Sequence, residues 1–198
     1  MGSDVSNNGM PDLSFGQRFR VQSLRGSQYS VCLLSVGAGD SGIYIRLDDG
    51  RVARLDKRRL KWDTYEPLEA AGEPPVHAGD EVLVECSSGT LRGTLLENVG
   101  DEVSLRLPIG SDLKLPKGDV SEFYLLFRAR DLKPGDRVIL KSRSGNEYRG
   151  SVRSLVAGRR LVMTLTNGGE ASLRLSKIDL SSIMVPIPIP LENLAAAG

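Results

Sequence analysis

The sequence predicts an all-β protein that consists of three tandem five-stranded small barrels. Three observations support this fold class. The 198 residues include 22 glycines, and short apolar runs with period-two alternation lie between Gly-bearing turns, which is typical of strands and tight hairpins. The same order of runs occurs three times along the chain, which indicates an internal repeat. Five short strands bury little surface as a flat sheet, whereas closure into a barrel removes the exposed edges.

The three copies open in the same way. Each begins with glycine and then Gln or Asp, and an alternating apolar run follows: "GQRFRVQS", "GDEVLVEC" and "GDRVILKS" from Gly16, Gly79 and Gly135. The fourth run of each copy ends on a basic residue, at Lys57, Lys117 and Lys177. The pairs Asp49-Gly50 and Asn167-Gly168 tolerate the positive φ that tight hairpin turns require.

These repeats divide the chain into six segments. We expect a flexible N-terminus at 1–14, barrel 1 at 15–65, a linker at 66–77, barrel 2 at 78–128, barrel 3 at 129–186 and a Pro-rich tail at 187–198. Because the linker before barrel 3 is short, barrels 2 and 3 are expected to pack against each other. Proline cannot donate to a sheet ladder, so the tail is expected to be extended chain or an edge segment, lying along a barrel or reaching a partner.

The composition argues against catalysis, a metal site and a membrane helix. The chain has one histidine, His77, and two cysteines, Cys32 and Cys86, which we expect to be buried free thiols. These residues do not make a zinc site, and no nucleophile-elbow or phosphate-loop motif is present. We therefore expect a non-enzymatic protein without a cofactor. No apolar run reaches the roughly 18 residues of a membrane helix, so we expect a cytoplasmic protein, or a nuclear one in a eukaryote.

Charge is unevenly distributed although the net charge is only +1. Residues 15–62 contain ten basic and four acidic side chains, residues 78–127 contain four and nine, and residues 134–186 contain nine and four. Barrels 1 and 3 are therefore basic, and barrel 2 is acidic. Clustered cations that neutralise phosphates release condensed counterions, so this pattern favours RNA or DNA as the partner of barrels 1 and 3.

The candidate binding residues come from the basic runs of barrels 1 and 3. The densest run is Ala53–Trp62; as a strand, it would place Lys57 and Arg59 on one face and Arg58 on the other. The candidate nucleic-acid-binding residues are Arg54, Lys57, Arg58, Arg59, Lys61, Arg143, Arg149, Arg159, Arg160 and Lys177. Candidates for a base-stacking platform or, with Phe19, an aromatic cage for a methylated cation are Tyr29, Tyr44 and Trp62. Trp62 has the alternative role of filling the barrel core.

The third copy resembles an Sm-like domain, the fold of Sm, Lsm and Hfq proteins. The resemblance lies in "RVILKSRSGNEYRGSVRSLVAGRRLVMTLTNG" and "SKIDLSSIMVP", while the openings "AGDEV" and "PGDRV" resemble KOW and Tudor modules. It implies tandem SH3-like barrels of Sm/Tudor/KOW type, with RNA contacts from Arg159, Arg160 and Lys177. The sequence departs from the Sm pattern in two places. The loop after the second strand reads "LVAGRR" without the usual Asp and Asn, and "LRLSKID" replaces the Arg-Gly pair.

Two further hypotheses use the same residues. PilZ domains bind cyclic di-GMP through an Arg-rich start and a D/N-x-S-x-x-G motif. The segment "DVSNNG" at Asp4–Gly9 matches this motif, and "DLSSIM" at Asp179–Met184 matches it except at Met184. The protein would then be a cyclic di-GMP-responsive, PilZ-like regulator. In the other hypothesis it is a protein-interaction scaffold or assembly factor whose barrel surfaces and Pro-rich tail contact other proteins or a second copy.

Overall fold

The computed structural model describes residues 9–37, 42–69, 76–129 and 131–194. Within these ranges the chain consists of antiparallel strands and short 3₁₀ turns, so the prediction of an all-β protein is confirmed. The chain divides into two compact units, Met1–Pro75 and Val76–Gly198. The boundary falls inside the predicted linker, 66–77. Met10 and Leu13, from the segment expected to be flexible, pack against the core of the first unit, whereas residues 1–8 lie outside the described ranges.

The described part of unit 1 forms one antiparallel sheet with the strand order β4-β3-β2-β1-β5. Its strands are β1 Arg18–Ser23, β2 Gln28–Val36, β3 Ile43–Leu47, β4 Val52–Leu55 and β5 Leu60–Pro67, with a 3₁₀ turn, η1, at Lys57–Arg59. Alternate residues of each strand point to the same face, which is why the apolar alternation of the sequence produces one core. The buried core residues are Phe19, Val21, Val31, Leu33, Ile43, Ile45, Leu60 and Trp62.

The described part of unit 2 forms a ten-stranded antiparallel sheet with the order β14-β13-β12-β11-β15-β10-β6-β7-β8-β9. Its first half is β6 Glu81–Cys86, β7 Gly89–Val99, β8 Glu102–Arg106, β9 Asp112–Pro116, η2 Lys117–Asp119 and β10 Val120–Arg128. Its second half is β11 Arg137–Ser142, β12 Glu147–Val156, β13 Arg160–Leu165, β14 Glu170–Arg174, η3 Leu175–Lys177, β15 Ile178–Ile189 and η4 Leu191–Leu194. We refer to β1–β5, β6–β10 and β11–β15 as repeats 1, 2 and 3.

Equivalent backbone hydrogen bonds show that the sequence repeat is a structural repeat. The N–H of the opening glycine donates to a carbonyl of the second strand in each repeat, at 2.9, 2.8 and 2.8 Å for Gly16, Gly79 and Gly135. These glycines have φ of 76°, 94° and 91°, which residues other than glycine rarely adopt. The second strand of each repeat also carries a β-bulge at the same place, at Leu33/Ser35, Leu95/Glu97 and Val152/Ser154.

Repeats 2 and 3, which were expected to pack against each other, share one continuous sheet within the second unit. Six residues of β10 pair antiparallel with six of β15, from Phe123 opposite Ile189 to Arg128 opposite Met184. Leu126 and Met184 also belong to a small buried cluster with Leu83 and Ile139 that spans the two repeats. Apolar residues at consecutive positions of β10 and β15 make both faces of these strands suitable for burial, so the two edges cover each other.

The predicted Pro-rich tail begins inside β15. The N–H groups of alternate residues in a strand point to the same side, so prolines at 186, 188 and 190 leave the N–H groups of 185, 187 and 189 available to β10. Ile187 and Ile189 are buried. Beyond the strand, Leu194 is buried and its carbonyl accepts a hydrogen bond from Lys117 Nζ at 2.5 Å. The tail of repeat 3 is therefore packed on repeat 2.

Replacing Gly150 with alanine should destabilise unit 2. A Cβ at this position would lie 2.1 Å from the backbone carbonyl oxygen of Thr164 on the neighbouring strand, and neither backbone can move without disturbing the ladder. We expect Gly150→Ala to lower the free energy of unfolding by about 1–3 kcal/mol, which is typical of overpacking. Thermal and denaturant unfolding of the full chain measure this change.

The matched control is Gly118→Ala. A Cβ at Gly118 meets no atom within 4 Å, so this variant should unfold at the wild-type temperature or slightly above it. Equal stability of the two variants would contradict the strand spacing described for β12 and β13.

Candidate nucleic-acid interface

Three segments of repeat 3 bring basic residues together around η3. The backbone N–H of Arg143, in the β11–β12 turn, donates to the carbonyl of Lys177 at 2.8 Å. The N–H of Leu175 donates to the carbonyl of Arg159, in the β12–β13 turn, at 2.9 Å. We call the surface formed by these segments the basic rim; its cationic residues are Arg143, Arg159, Arg160, Arg174 and Lys177.

The cations of the basic rim are exposed to solvent. In the described part of the chain, none of the five forms an ion pair with a carboxylate. The carboxylate of Asp179 lies close enough to feel the charge of Arg143. Its pKa is lowered first by hydrogen bonds from Ser181 and then by that charge. The rim therefore carries a clear excess of positive charge.

Arg174 belongs to the basic rim although the sequence analysis did not select it. It lies directly opposite Arg160 across the β13–β14 ladder. Like charges in such a pair repel each other, and an anion bound beside them relieves this repulsion. The order of the strand-like runs in each repeat could have indicated this residue. If the third and fourth runs form a hairpin, the end of the fourth lies opposite the start of the third.

Repeat 1 presents a different arrangement at the equivalent position. Residues 57–59 form the turn η1, so the prediction that Lys57 and Arg59 share one strand face is wrong. Asp56 caps this turn by accepting the N–H of Arg58 at 3.0 Å, although repeats 2 and 3 form the same turn without a side-chain cap. Asp56 also lies 3.8 Å from Arg59 Nε, and Lys57 Nζ lies 3.5 Å from the carbonyl of Gly37. The cations of η1 are thus partly balanced.

Three other candidates lie on strands and not in the turns η1 and η3. Arg54 is half-buried on β4, opposite Tyr44, and Lys61 is half-buried on β5, opposite Gln22. Arg149 donates from Nε to the carboxylate of Glu147 at 2.7 Å. The structure therefore brings together four of the ten predicted residues, namely Arg143, Arg159, Arg160 and Lys177.

The equivalent surface of repeat 2 is acidic. The turn η2 contains Asp119, and the N–H of Lys117 donates to the carbonyl of Asp101 at 2.8 Å. This bond corresponds to the Leu175–Arg159 bond of repeat 3. Lys57 and Lys117 are thus the first residues of η1 and η2. Lys177 is instead the last residue of η3, so it corresponds to Arg59 in η1. The alignment of the three lysines from the sequence was shifted by two residues in repeat 3.

The aromatic candidates occupy the interior of unit 1. Tyr44 is 5% exposed and Trp62 is 8% exposed, and Trp62 Nε1 donates to the carbonyl of Lys57 at 3.1 Å. Tyr29 is half-buried against the same core. The ring of Phe19 packs between Trp62 and Tyr65, with centroids 6.5 and 5.5 Å away. Neither Tyr44 nor Trp62 offers a ring face for stacking or for a cage, and Trp62 fills the core.

The two PilZ-like segments differ in what the structure describes. Residues 4–8 of the first lie outside the described ranges. In the second, Asp179 accepts hydrogen bonds from the N–H and hydroxyl of Ser181. Lys141 of β11 lies opposite Asp179 of β15, but Ile139, two residues away, lies opposite Met184, so β15 has extra residues between these two pairs. The segment is therefore a bulge, and buried Met184 stands where the motif has glycine.

The remaining chemistry of the chain is limited. Both cysteines are free thiols, but they are half-buried instead of fully buried. Burial raises the pKa of the Cys32 thiol. Over the described ranges there is no cluster of His, Cys, Asp and Glu suited to a metal ion. The part of the chain that the structure describes also has no helix long and apolar enough to cross a membrane.

Comparison with known proteins adds no family assignment: no protein-family model matches the chain, and a search of curated proteins finds no significant relative.

Trp62 provides a direct test of the aromatic assignment because it is the only tryptophan of the chain. We expect its fluorescence emission to be blue-shifted and weakly quenched by iodide, since the ring is buried and its N–H is bonded. Addition of an oligonucleotide should leave the emission unchanged. The urea-unfolded protein serves as the exposed control. Strong quenching by the oligonucleotide would restore the stacking hypothesis for barrel 1.

Proposed function

We propose that the protein is a non-enzymatic binding protein that engages RNA or DNA through the phosphates, with the basic rim of repeat 3 as its main contact. The carrying observation is that five exposed cations from three chain segments converge around η3 without a carboxylate ion pair in the described ranges. Exposed cations without a carboxylate ion pair neutralise phosphates and release counterions on binding.

The proposal includes an SH3-like barrel of Sm/Tudor/KOW type for each repeat. Two features support it. The first strand of each repeat pairs with both the second and the fifth, and the second strand bends at a bulge of fixed position. In this fold, the connection between the second and third strands and the connection between the fourth and fifth strands lie together at one end of the barrel. In repeat 3 these connections carry Arg159 and Lys177.

The candidate aromatic rings give little support to sequence-specific recognition. Base readout from a single strand relies largely on exposed rings that stack on bases, and the candidate rings Tyr44 and Trp62 are buried. Phosphate contacts position a protein on a nucleic acid without reading its sequence. We therefore propose recognition of charge and shape, in the cytoplasm or, in a eukaryote, the nucleus.

A protein-interaction scaffold is the second candidate. It is favoured by exposed aliphatic side chains next to the rim, where Val156 is 51% and Leu180 is 59% exposed. Such residues are placed to contact another protein. In this case the charged rim would provide the polar edge of the interface, and the chain would form a defined assembly instead of binding an oligonucleotide.

Neutralising two rim residues should reduce both the affinity and the salt dependence of oligonucleotide binding. Five phosphate contacts predict a slope of log K against log salt of about −3.5 on a single strand, because each contact contributes about 0.7. The double variant Arg159→Ala/Arg160→Ala should bind with a slope of about −2. Fluorescence anisotropy of a labelled single-stranded oligonucleotide, titrated at several salt concentrations, measures both quantities.

The control is Arg106→Ala/Lys114→Ala in repeat 2, which removes the same charge from residues paired with Asp112 and Glu102. Its slope should equal that of the wild type. Absence of binding at low salt, together with a defined oligomer by light scattering, would replace the proposal with the scaffold. Calorimetry with cyclic di-GMP checks the regulator hypothesis on the same samples.

A further inference from the structure

A cleft of about 390 Å³ lies between repeats 2 and 3 on the shared sheet. Volumes of this size are typical of sites for small organic ligands. Its apolar lining includes Leu83, Tyr124, Ile139 and Pro186. Leu83 and Ile139 are buried and belong to the cluster that joins the two repeats. The floor of the cleft is therefore part of the buried contact between the two repeats.

Charged groups at the cleft are divided between the two repeats. Repeat 3 contributes Arg137 and Arg149. Arg137 is exposed and has no carboxylate partner among the residues described. Arg149 bonds Glu147 through Nε, which leaves donors on its terminal nitrogens. Repeat 2 contributes Glu85, whose carboxylate accepts no hydrogen bond within the described ranges.

Tyr124 keeps a neutral phenol at this site. Burial, together with the carboxylates of Glu122 and Glu85, raises the pKa of Tyr124 to about 12. The hydroxyl donates a hydrogen bond to Glu122 Oε2. This bond fixes the ring, which stays uncharged and apolar at any physiological pH. A fixed aromatic ring beside aliphatic side chains suits a planar ligand.

We propose that this cleft binds a nucleoside monophosphate whose base carries an amino group. Arg137 and Arg149 contact the phosphate, since guanidinium groups present several donors in a geometry that matches phosphate oxygens. The base lies against Tyr124 and the apolar floor. The carboxylate of Glu85 accepts a hydrogen bond from the amino group.

The cleft is separate from the basic rim. Thr164, Leu165 and Thr166 border the cleft at one end of β13, whereas Arg160 of the rim begins that strand. At about 3.3 Å per residue, the two ends are roughly 15 Å apart. Nucleotide binding in the cleft therefore does not depend on the proposed nucleic-acid interface, and each can fail without the other.

Titration of the full chain with AMP tests the proposal. Calorimetry should show saturable binding to one site, and the backbone amide resonances of Gly150, Ser151, Leu165 and Thr166 should shift. Adenosine and ribose 5-phosphate, which lack the phosphate and the base respectively, should each bind at least about tenfold more weakly, because each loses one set of contacts. Inorganic phosphate should not shift these resonances at the AMP concentration that saturates the site.

Two variants with the same charge change separate the cleft from general electrostatics. Arg137→Gln should weaken AMP binding at least about tenfold, since a hydrogen bond to a charged group is lost. Arg153→Gln changes an exposed arginine of β12 that pairs with Glu170 outside the cleft, and it should bind AMP as the wild type does. Both side chains are exposed, so both variants should fold.

Several results would overturn the proposal: no saturable AMP binding, equal affinity for AMP and adenosine, or wild-type affinity in Arg137→Gln. Arg159→Ala/Arg160→Ala should retain AMP binding, and Arg137→Gln should retain the salt slope for oligonucleotides. Loss of AMP binding in the rim variant would place the nucleotide at the rim and also overturn the assignment to the cleft.

Discussion

The pairing of β10 with β15 determines the architecture of unit 2, because it turns two edge strands into the centre of one sheet. An unpaired edge with apolar residues is prone to aggregation. The segments "FYLLF" and "IMVPIPI" each place apolar residues at consecutive positions, so both faces need cover. In repeat 1 the equivalent pair is Arg20 opposite Glu66, which corresponds to Ile139 opposite Met184 in repeat 3. Pro67 follows Glu66 on the same strand. Charge and proline at this point protect an edge that pairs with no further strand in the described part of unit 1.

The three repeats show how one backbone carries different surfaces. Each ends its fourth strand in a 3₁₀ turn, and the turn sequences are Lys-Arg-Arg, Lys-Gly-Asp and Leu-Ser-Lys. The turn is held by backbone hydrogen bonds and makes few demands on its side chains. Charge at this position can therefore vary without cost to the fold. In repeat 1 the cap Asp56 offsets the cations, whereas in repeat 3 the cap position is Arg174, which adds to them.

The sequence was sufficient for the local features and insufficient for those set by tertiary contacts. Glycines at Gly16, Gly79 and Gly135 marked the repeat because positive φ is a local requirement. The turn at 57–59 was missed because the stretch was treated as one strand, although the alternation of Ala53 and Leu55 breaks over 56–59 and resumes in the opposite phase at Leu60 and Trp62. Arg174 was missed because only the register of β13 with β14 places it directly opposite Arg160. The β10–β15 pairing was missed because the apolar pattern of an edge strand does not show which other strand will pair with it.

The burial of the aromatic rings limits how repeat 1 can recognise a nucleic acid. Phe19, Trp62 and Tyr65 pack together, and the Trp62 N–H bonds the carbonyl that begins η1. Moving Trp62 to the surface would open the core and break this bond, so base stacking there would require partial unfolding. The cations of repeat 1 can act only through charge, and Asp56 reduces that charge. Repeat 3 has no such restriction, because its exposed cations lie on turns and strand ends held by backbone hydrogen bonds and not by the core. Any preference between the two basic repeats should therefore favour repeat 3.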